Sequence, residues 1–207
     1  SVVKTMTELH GRANYGTNIL LRDYLPAVTN LTTMIIERGA KPEDWVEVVK
    51  RSPKLVTYCG TVDKACVNAF IECCPHLEDL SAYDSDVETL TLITTKIPKL
   101  KLLSILTLPG ALTEDITNID TLHIMRPYEH GRAPMEGSID HMRRLKNLGA
   151  NIHEYEVSRI PGNFPRLESL QVDSDLHAAM AKRLMKECPK LRFISGVKSR
   201  IKAPRVV

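Results

Sequence analysis

A proline-centred phrase recurs along the chain: Ser52-Pro53-Lys54-Leu55, Cys74-Pro75-His76-Leu77, Ile97-Pro98-Lys99-Leu100, Phe164-Pro165-Arg166-Leu167 and Cys188-Pro189-Lys190-Leu191. Each copy is followed by a short apolar alternation, as in Leu77-x-x-Leu80-x-Ala82 and Leu167-x-x-Leu170-x-Val172, and most copies then enter a helical stretch. Self-similarity at a fixed period means that one supersecondary unit is stacked on copies of itself, because a single unit cannot bury its own apolar face.

Aligning the first apolar residue of each unit gives starts at Leu31, Leu55, Leu77, Leu100, Ile119, Ile152, Leu167 and Leu191. Most intervals fall in the range of about 20–29 residues that leucine-rich repeats occupy. The long step from Ile119 to Ile152 reads as an insertion, and the short step to Leu167 leaves room only for a turn at Pro161-Gly162-Asn163. Each unit predicts a strand followed by a crossover helix, since a strand returning parallel to its predecessor needs a crossover. The helices are legible. Residues 42 to 49 open with proline and acids and would bury Trp45, Val48 and Val49. Asp63 to Cys73 sets Cys66, Val67, Phe70 and Cys73 on one face, Asp86 to Ile97 sets Val87, Leu90 and Ile93, and Asp175 to Cys188 sets Leu176, Met180, Leu184 and Cys188.

The fold class expected is α/β, a leucine-rich-repeat solenoid with a curved parallel sheet on the concave side and helices on the convex side. Two phrases, Glu72-Cys73-Cys74-Pro75-His76-Leu77-Glu78-Asp79-Leu80 and Lys186-Glu187-Cys188-Pro189-Lys190-Leu191-Arg192-Phe193-Ile194, resemble the cysteine-containing class of leucine-rich repeats in F-box/leucine-rich-repeat proteins, the substrate receptors of cullin-type ubiquitin ligases. The resemblance spans roughly residues 25 to 197. Three copies replace the cysteine, and only Leu112-Thr113-Glu114-Asp115-Ile116-Thr117 faintly echoes the stretch that follows the strand in that class. It implies a protein-recognition module and, if an F-box precedes Ser1, a ligase adaptor as a partner. Residues 1–24 are too short for an F-box and do not look like one; they read as an N-terminal cap or the end of an earlier repeat. Residues 25–197 are the solenoid, with an inserted loop at 126–137, and 198–207 form a basic tail.

Side chains of a strand alternate faces, so the leucines enter the core and the residues between them line the concave sheet. That rule selects Thr33, Ile35, Thr57, Cys59, Asp79, Ser81, Tyr83, Leu102, Ser104, Thr121, His123, Met125, Glu154, Glu156, Ser169, Gln171, Asp173, Phe193 and Ser195. The central and later part of this surface reads as mildly acidic. Partner-binding residues expected on it are Asp79, Tyr83, His123, Glu154, Glu156, Gln171, Asp173 and Phe193. The 126–137 loop, with two prolines and two glycines, offers Arg126, Tyr128 and Arg132 as further anchors.

Other chemistry finds little support. The five cysteines, Cys59, Cys66, Cys73, Cys74 and Cys188, contain no C-x-x-C, and Cys74 and Cys188 share one repeat slot, which implies packing rather than metal or disulfide. Without cysteine clusters at its ends, the chain suits a reducing compartment, cytoplasmic or nuclear. His123, His130 and His141 share no ligating spacing, and His141-Met142-Arg143-Arg144 reads as the head of a basic helix. Asp84-Ser85-Asp86 and Asp173-Ser174-Asp175 precede helices and read as N-caps. There is no nucleophile elbow, phosphate loop or H-E-x-x-H, so no catalytic residue, metal or cofactor is expected. No apolar run reaches the roughly 18 residues of a membrane span, and none is expected. The net charge is +3; the basic tail Lys198-Ser199-Arg200-Ile201-Lys202-Ala203-Pro204-Arg205 leaves contact with nucleic acid or an acidic protein surface open. The expected function is non-enzymatic recognition of protein partners, with an F-box-type substrate receptor as the specific reading and a structural scaffold of a protein or ribonucleoprotein assembly as the alternative.

Overall fold

In the computed structural model each proline phrase is a tight turn. The described residues are 7–11, 29–36, 42–83, 85–106, 116–125, 141–150, 159–172, 176, 178–196 and 200–202. In every copy the leucine N–H donates to the carbonyl three residues earlier: Leu55 to Ser52 at 3.0 Å, Leu77 to Cys74 at 3.1 Å, Leu100 to Ile97 at 3.5 Å, Leu167 to Phe164 at 3.2 Å and Leu191 to Cys188 at 3.1 Å. Proline occupies the second turn position, where its fixed φ is already right and no N–H is needed. The first and last residues of the turn are buried and the two between are exposed. A buried first residue lies just past a helix end, where carbonyls lack helical partners. Ser52 donates its hydroxyl to the Val48 carbonyl at 2.7 Å, and the Cys74 thiol donates to the carbonyls of Val49 and Ser52 in the preceding repeat at 3.6 and 3.5 Å. Burial pushes the Cys74 thiol up to about 12, so it remains a protonated donor. The Cys188 thiol is raised for the same reason.

The turn also occurs where no proline announces it. Leu145 donates to Met142 at 3.1 Å, and both side chains are fully buried. Met142-Arg143-Arg144-Leu145 is therefore a sixth copy, and the sixth unit starts at Leu145 rather than Ile152. This corrects two expectations. His141 to Arg144 is a turn and not the head of a helix, and the steps from Ile119 to Leu145 and from Leu145 to Leu167 are 26 and 22 residues. The 126–137 segment lies outside the described residues, as do 1–6 and 12–24 of the expected cap.

Two residues past each leucine a strand begins. Contacts group the chain into two units, 1–103 and 104–207. In the first, β1 (Glu8–Gly11), β2 (Thr33–Ile36), β3 (Thr57–Thr61) and β4 (Asp79–Tyr83) pair in parallel in that order. The next strand, β5 (Leu102–Ile105), starts with the Lys101 and Leu102 N–H groups on the Glu78 carbonyl, at 2.8 and 3.1 Å. In the second unit β6 (Thr121–Ile124), β7 (Asn147–Ala150), β8 (Ser169–Val172) and β9 (Phe193–Ser195) are likewise parallel. Arg200–Lys202, within the basic tail, is an antiparallel strand β10 on β9.

The crossovers supply helices α1 (Pro42–Lys50), α2 (Lys64–Cys73), α3 (Val87–Lys96) and α5 (Ala178–Glu187). Between β7 and β8 the described residues form the single turn α4 (Ile160–Asn163), where Gly162 takes φ 88° inside a non-helical stretch. Only glycine adopts that angle without strain, which is why the expected Pro161-Gly162-Asn163 turn ends the crossover. Trp45, Val48 and Val49, Cys66, Val67 and Phe70, Leu90 and Ile93, and Leu184 and Cys188 are buried as their spacing predicts, whereas Cys73, Val87, Leu176 and Met180 are only half-buried. Successive inward rows, Met34–Tyr58–Leu80 in one unit and Leu122–Leu148–Leu170–Ile194 in the other, stack into the core under the turn leucines. Parallel strands at constant register, leucine turns and helical crossovers make this a leucine-rich-repeat solenoid.

The expected cap forms at Asp86, and Asp63 caps the helix before it. The Asp63 carboxylate accepts from Cys66 N–H at 2.8 Å and Asp86 from Thr89 N–H at 2.7 Å; Asp173 to Asp175 lie outside the described residues. The Thr89 N–H holds the Asp86 carboxyl below its ordinary range, so the cap is fully present above the unfolded value near 3.9 and lost as pH falls through the lower folded value. Asp86→Ala is expected to cost about 1 kcal/mol at neutral pH. That deficit should shrink below about pH 4, which denaturant titrations at the two pH values would check; a deficit unchanged in acid would rule out the carboxylate cap.

Candidate functional site

The strands expose one face and bury the other. Along β2, β3 and β4 buried and half-buried residues alternate, and the buried face meets the helices, as the Tyr58 and Phe70 rings show. The opposite face is built from rows set by the strand register. In the first unit one row runs Glu8–Thr33–Thr57–Asp79 and the next contains Ile35, Cys59 and Ser81. Asp79 is half-buried at the end of its row. Tyr83 stands opposite Thr61 at the end of β4, with its hydroxyl 2.9 Å from the Cys59 sulfur. That hydrogen bond, aided by burial, pushes the Tyr83 phenol up to about 12, so near neutral pH it stays protonated.

In the second unit the rows are Thr121–Asn147–Ser169–Phe193 and His123–Gly149–Gln171–Ser195. Asn147 donates its side-chain amide to the Thr121 hydroxyl at 2.9 Å. The His123 ring lies over Gly149, where a Cβ would come within 2.9 Å of His123 Cδ2; the missing side chain makes the space the imidazole occupies. Gln171 is exposed, and Phe193 and Met125 expose 52% and 44% of their surface, which is far more than large apolar side chains usually leave in water.

Of the expected partner-binding residues, Asp79, Tyr83, His123, Gln171 and Phe193 therefore lie on sheet faces. The strand that follows Leu145 carries Asn147 and Gly149. Glu154, Glu156, Asp173, Arg126, Tyr128 and Arg132 fall outside the described residues. Among the described residues of β6 to β9, no Asp, Glu, Lys or Arg lies in the sheet-face rows. Asn147 and Gly149 were missed because their turn lacks the proline; Met142 and Leu145 at the right spacing were the available signal. Among the described residues no group of histidine, cysteine and carboxylate side chains could hold a metal ion, and no helix is long and apolar enough to cross a membrane. Hydroxyls, amides, one imidazole and exposed apolar groups can bind by contact and hydrogen bonding.

No protein-family model and no curated protein matches the sequence. Among solved structures, the leucine-rich repeat domain of APL1B is similar at 16% identity and a TM-score of 0.36, over 84% of this chain and 51% of that one. A structural-genomics protein from Bacteroides fragilis is similar at 14% identity and a TM-score of 0.32, over 84% of this chain and 77% of that one. The chain thus spans about half the length of the APL1B domain it resembles, and its leucine-rich-repeat fold stands on its own turn and strand geometry.

Proposed function

We propose that the protein is a non-enzymatic recognition module that reads a protein partner with the sheet face of its repeats. The observation that carries this reading is the Phe193 side chain, 52% exposed beside a row of hydrogen-bonding residues, Thr121, Asn147 and Ser169. An aromatic ring bordered by hydroxyls and amides has the make-up of an interface anchor with its polar surround. The more specific reading is a substrate receptor of an F-box-type ubiquitin ligase, supported by the resemblance at residues 72–80 and 186–194. It implies a cytoplasmic or nuclear protein, in keeping with thiols at Cys74 and Cys188 that serve as buried packing groups.

Affinity capture of the natural full-length protein from its cells, with mass spectrometry of what is retained, tests both levels. Recovery of a cullin and its adaptor supports the receptor reading. A fixed set of other subunits would favour a scaffold. In either case Phe193→Ala is expected to weaken the captured partner by at least about tenfold, while the thermal midpoint barely moves because the ring is exposed. Unchanged affinity would remove Phe193 from the binding surface.

A further inference from the structure

One row of the repeats keeps its charge while its neighbour cancels it. From Leu77 onward the residue just after the first apolar residue of each unit alternates in sign: Glu78 and Lys101 in the first unit, and Asp120, Lys146, Glu168 and Arg192 in the second, whereas Leu55 is followed by the neutral Val56. These rows pair internally, Lys101 to Glu78 at 2.7 Å and Lys146 to Asp120 at 2.8 Å, as opposite charges at neighbouring ladder positions should. The residue just before each turn leucine behaves differently. In the second unit it is Arg144, Arg166 and Lys190, with Arg143 beside the first, and all four are exposed.

Geometry makes that second row continuous. Arg144, Arg166 and Lys190 lie three residues ahead of Asn147, Ser169 and Phe193, which the register places side by side. The ladder extends toward them, since the Lys146 carbonyl accepts from Glu168 and Ser169, and the Glu168 carbonyl accepts from Arg192 and Phe193. Backbones so paired are about 4.8 Å apart. Among the described residues no carboxylate lies within ion-pair range of these four cations; Arg144 reaches only the Thr117 carbonyl, at 3.4 Å. The first unit repeats the design with Lys54, His76 and Lys99, where Lys99 Nζ stands 3.5 Å from His76 Nδ1. Attraction to the negative end of a preceding helix accounts for a cation such as Lys190 after α5. It does not account for Arg166, which follows a single turn whose interior residues Pro161 and Gly162 are not helical.

We propose that the turn row Arg144–Arg166–Lys190 is a docking strip for an acidic polypeptide segment, a run of Asp and Glu side chains on a protein partner. Like charges spaced a strand apart repel one another, and an acidic run relieves that repulsion by supplying one carboxylate per repeat. The row contains no aromatic side chain on which a base could stack, which is what single-stranded nucleic acids use in addition to cations. The strip is a different surface from the sheet face. It rests on the protein-recognition reading only in that its ligand is a protein.

The test is fluorescence anisotropy of a labelled all-glutamate peptide with the full chain, at low and high salt, against a labelled oligothymidylate of equal charge. Arg144→Gln, Arg166→Gln and Lys190→Gln together are expected to weaken the peptide by at least roughly tenfold, each exposed pair being worth a factor of a few. A control with the same charge change on exposed helix lysines, Lys96→Gln, Lys182→Gln and Lys186→Gln, should lose less than about threefold if the strip is local rather than a matter of net charge. Equal loss in both triples, absence of peptide binding at low salt, or tighter binding of the oligothymidylate would each overturn the proposal. Circular dichroism melts verify folding, and if the row triple does not fold, Arg166→Gln alone decides, with a loss of a few-fold expected. Failure here leaves the Phe193 test standing, because the two sets of residues share no member.

Discussion

Phe70→Ala is expected to destabilise the fold by about 3–5 kcal/mol, the largest effect of any single truncation argued for the first unit. Phe70 is fully buried on α2 and meets the ring of Tyr58 on β3 edge-on, with centroids 4.9 Å apart at 63°. The pair joins helix to sheet within one repeat. Tyr58 is also fully buried, and its hydroxyl is committed to the Thr61 carbonyl at 3.2 Å; burial pushes its phenol far above the ordinary range, so it stays a donor. Gly60 makes room for that hydroxyl: a Cβ there would come within 2.9 Å of Tyr58 Oη and 3.1 Å of Ile36 Cβ. Gly60→Ala should therefore cost about 1–3 kcal/mol by overpacking, and less in a Tyr58→Phe background, where the crowded oxygen is gone. Equilibrium unfolding in urea measures all of these. A loss below about 1 kcal/mol for Phe70→Ala would mean the site collapses around the missing ring far more completely than buried aromatic sites usually do.

Much of this architecture was legible in the sequence because the signals were local and repeated. Proline at a turn position, leucine three residues after the turn begins, and acids one residue ahead of a helix each act within a few residues, so the five proline phrases and the cap at Asp86 could be read directly. The sheet face followed from strand alternation wherever the strand itself was located, which brought Asp79, Tyr83, His123, Gln171 and Phe193 onto it. What escaped was non-local or lacked its usual marker. The Cys59–Tyr83 contact joins residues on neighbouring strands, and the Gly149 floor under His123 depends on register between two repeats. Charge alternation in one row and its absence in the next became visible only once all the turns were aligned. The sixth turn, with arginine where the others carry proline, displaced the Leu145 start to Ile152 and took the face residues of that strand with it.

Leu145→Ala is expected to cost about 2–5 kcal/mol, as a fully buried leucine in the core does, and Met142→Ala should fall in the same range for the same reason. Both side chains have no exposed surface and the turn between them is closed by the Leu145 N–H on the Met142 carbonyl at 3.1 Å. The prediction bears on function because a strand's start decides which of its residues face outward, and a shift by an odd number of residues exchanges the two faces. From a start at Leu145 the outward residues are Asn147 and Gly149, flanked by Thr121 and His123 on one side and Ser169 and Gln171 on the other. From a start seven residues later, at Ile152, they would be Glu154 and Glu156, and the surface offered to a partner would carry two carboxylates in place of an amide and a glycine. Urea unfolding of Leu145→Ala and Met142→Ala separates the two registers. A loss below about 1 kcal/mol in both would be incompatible with buried core positions, and it would remove Arg144 from the cationic row.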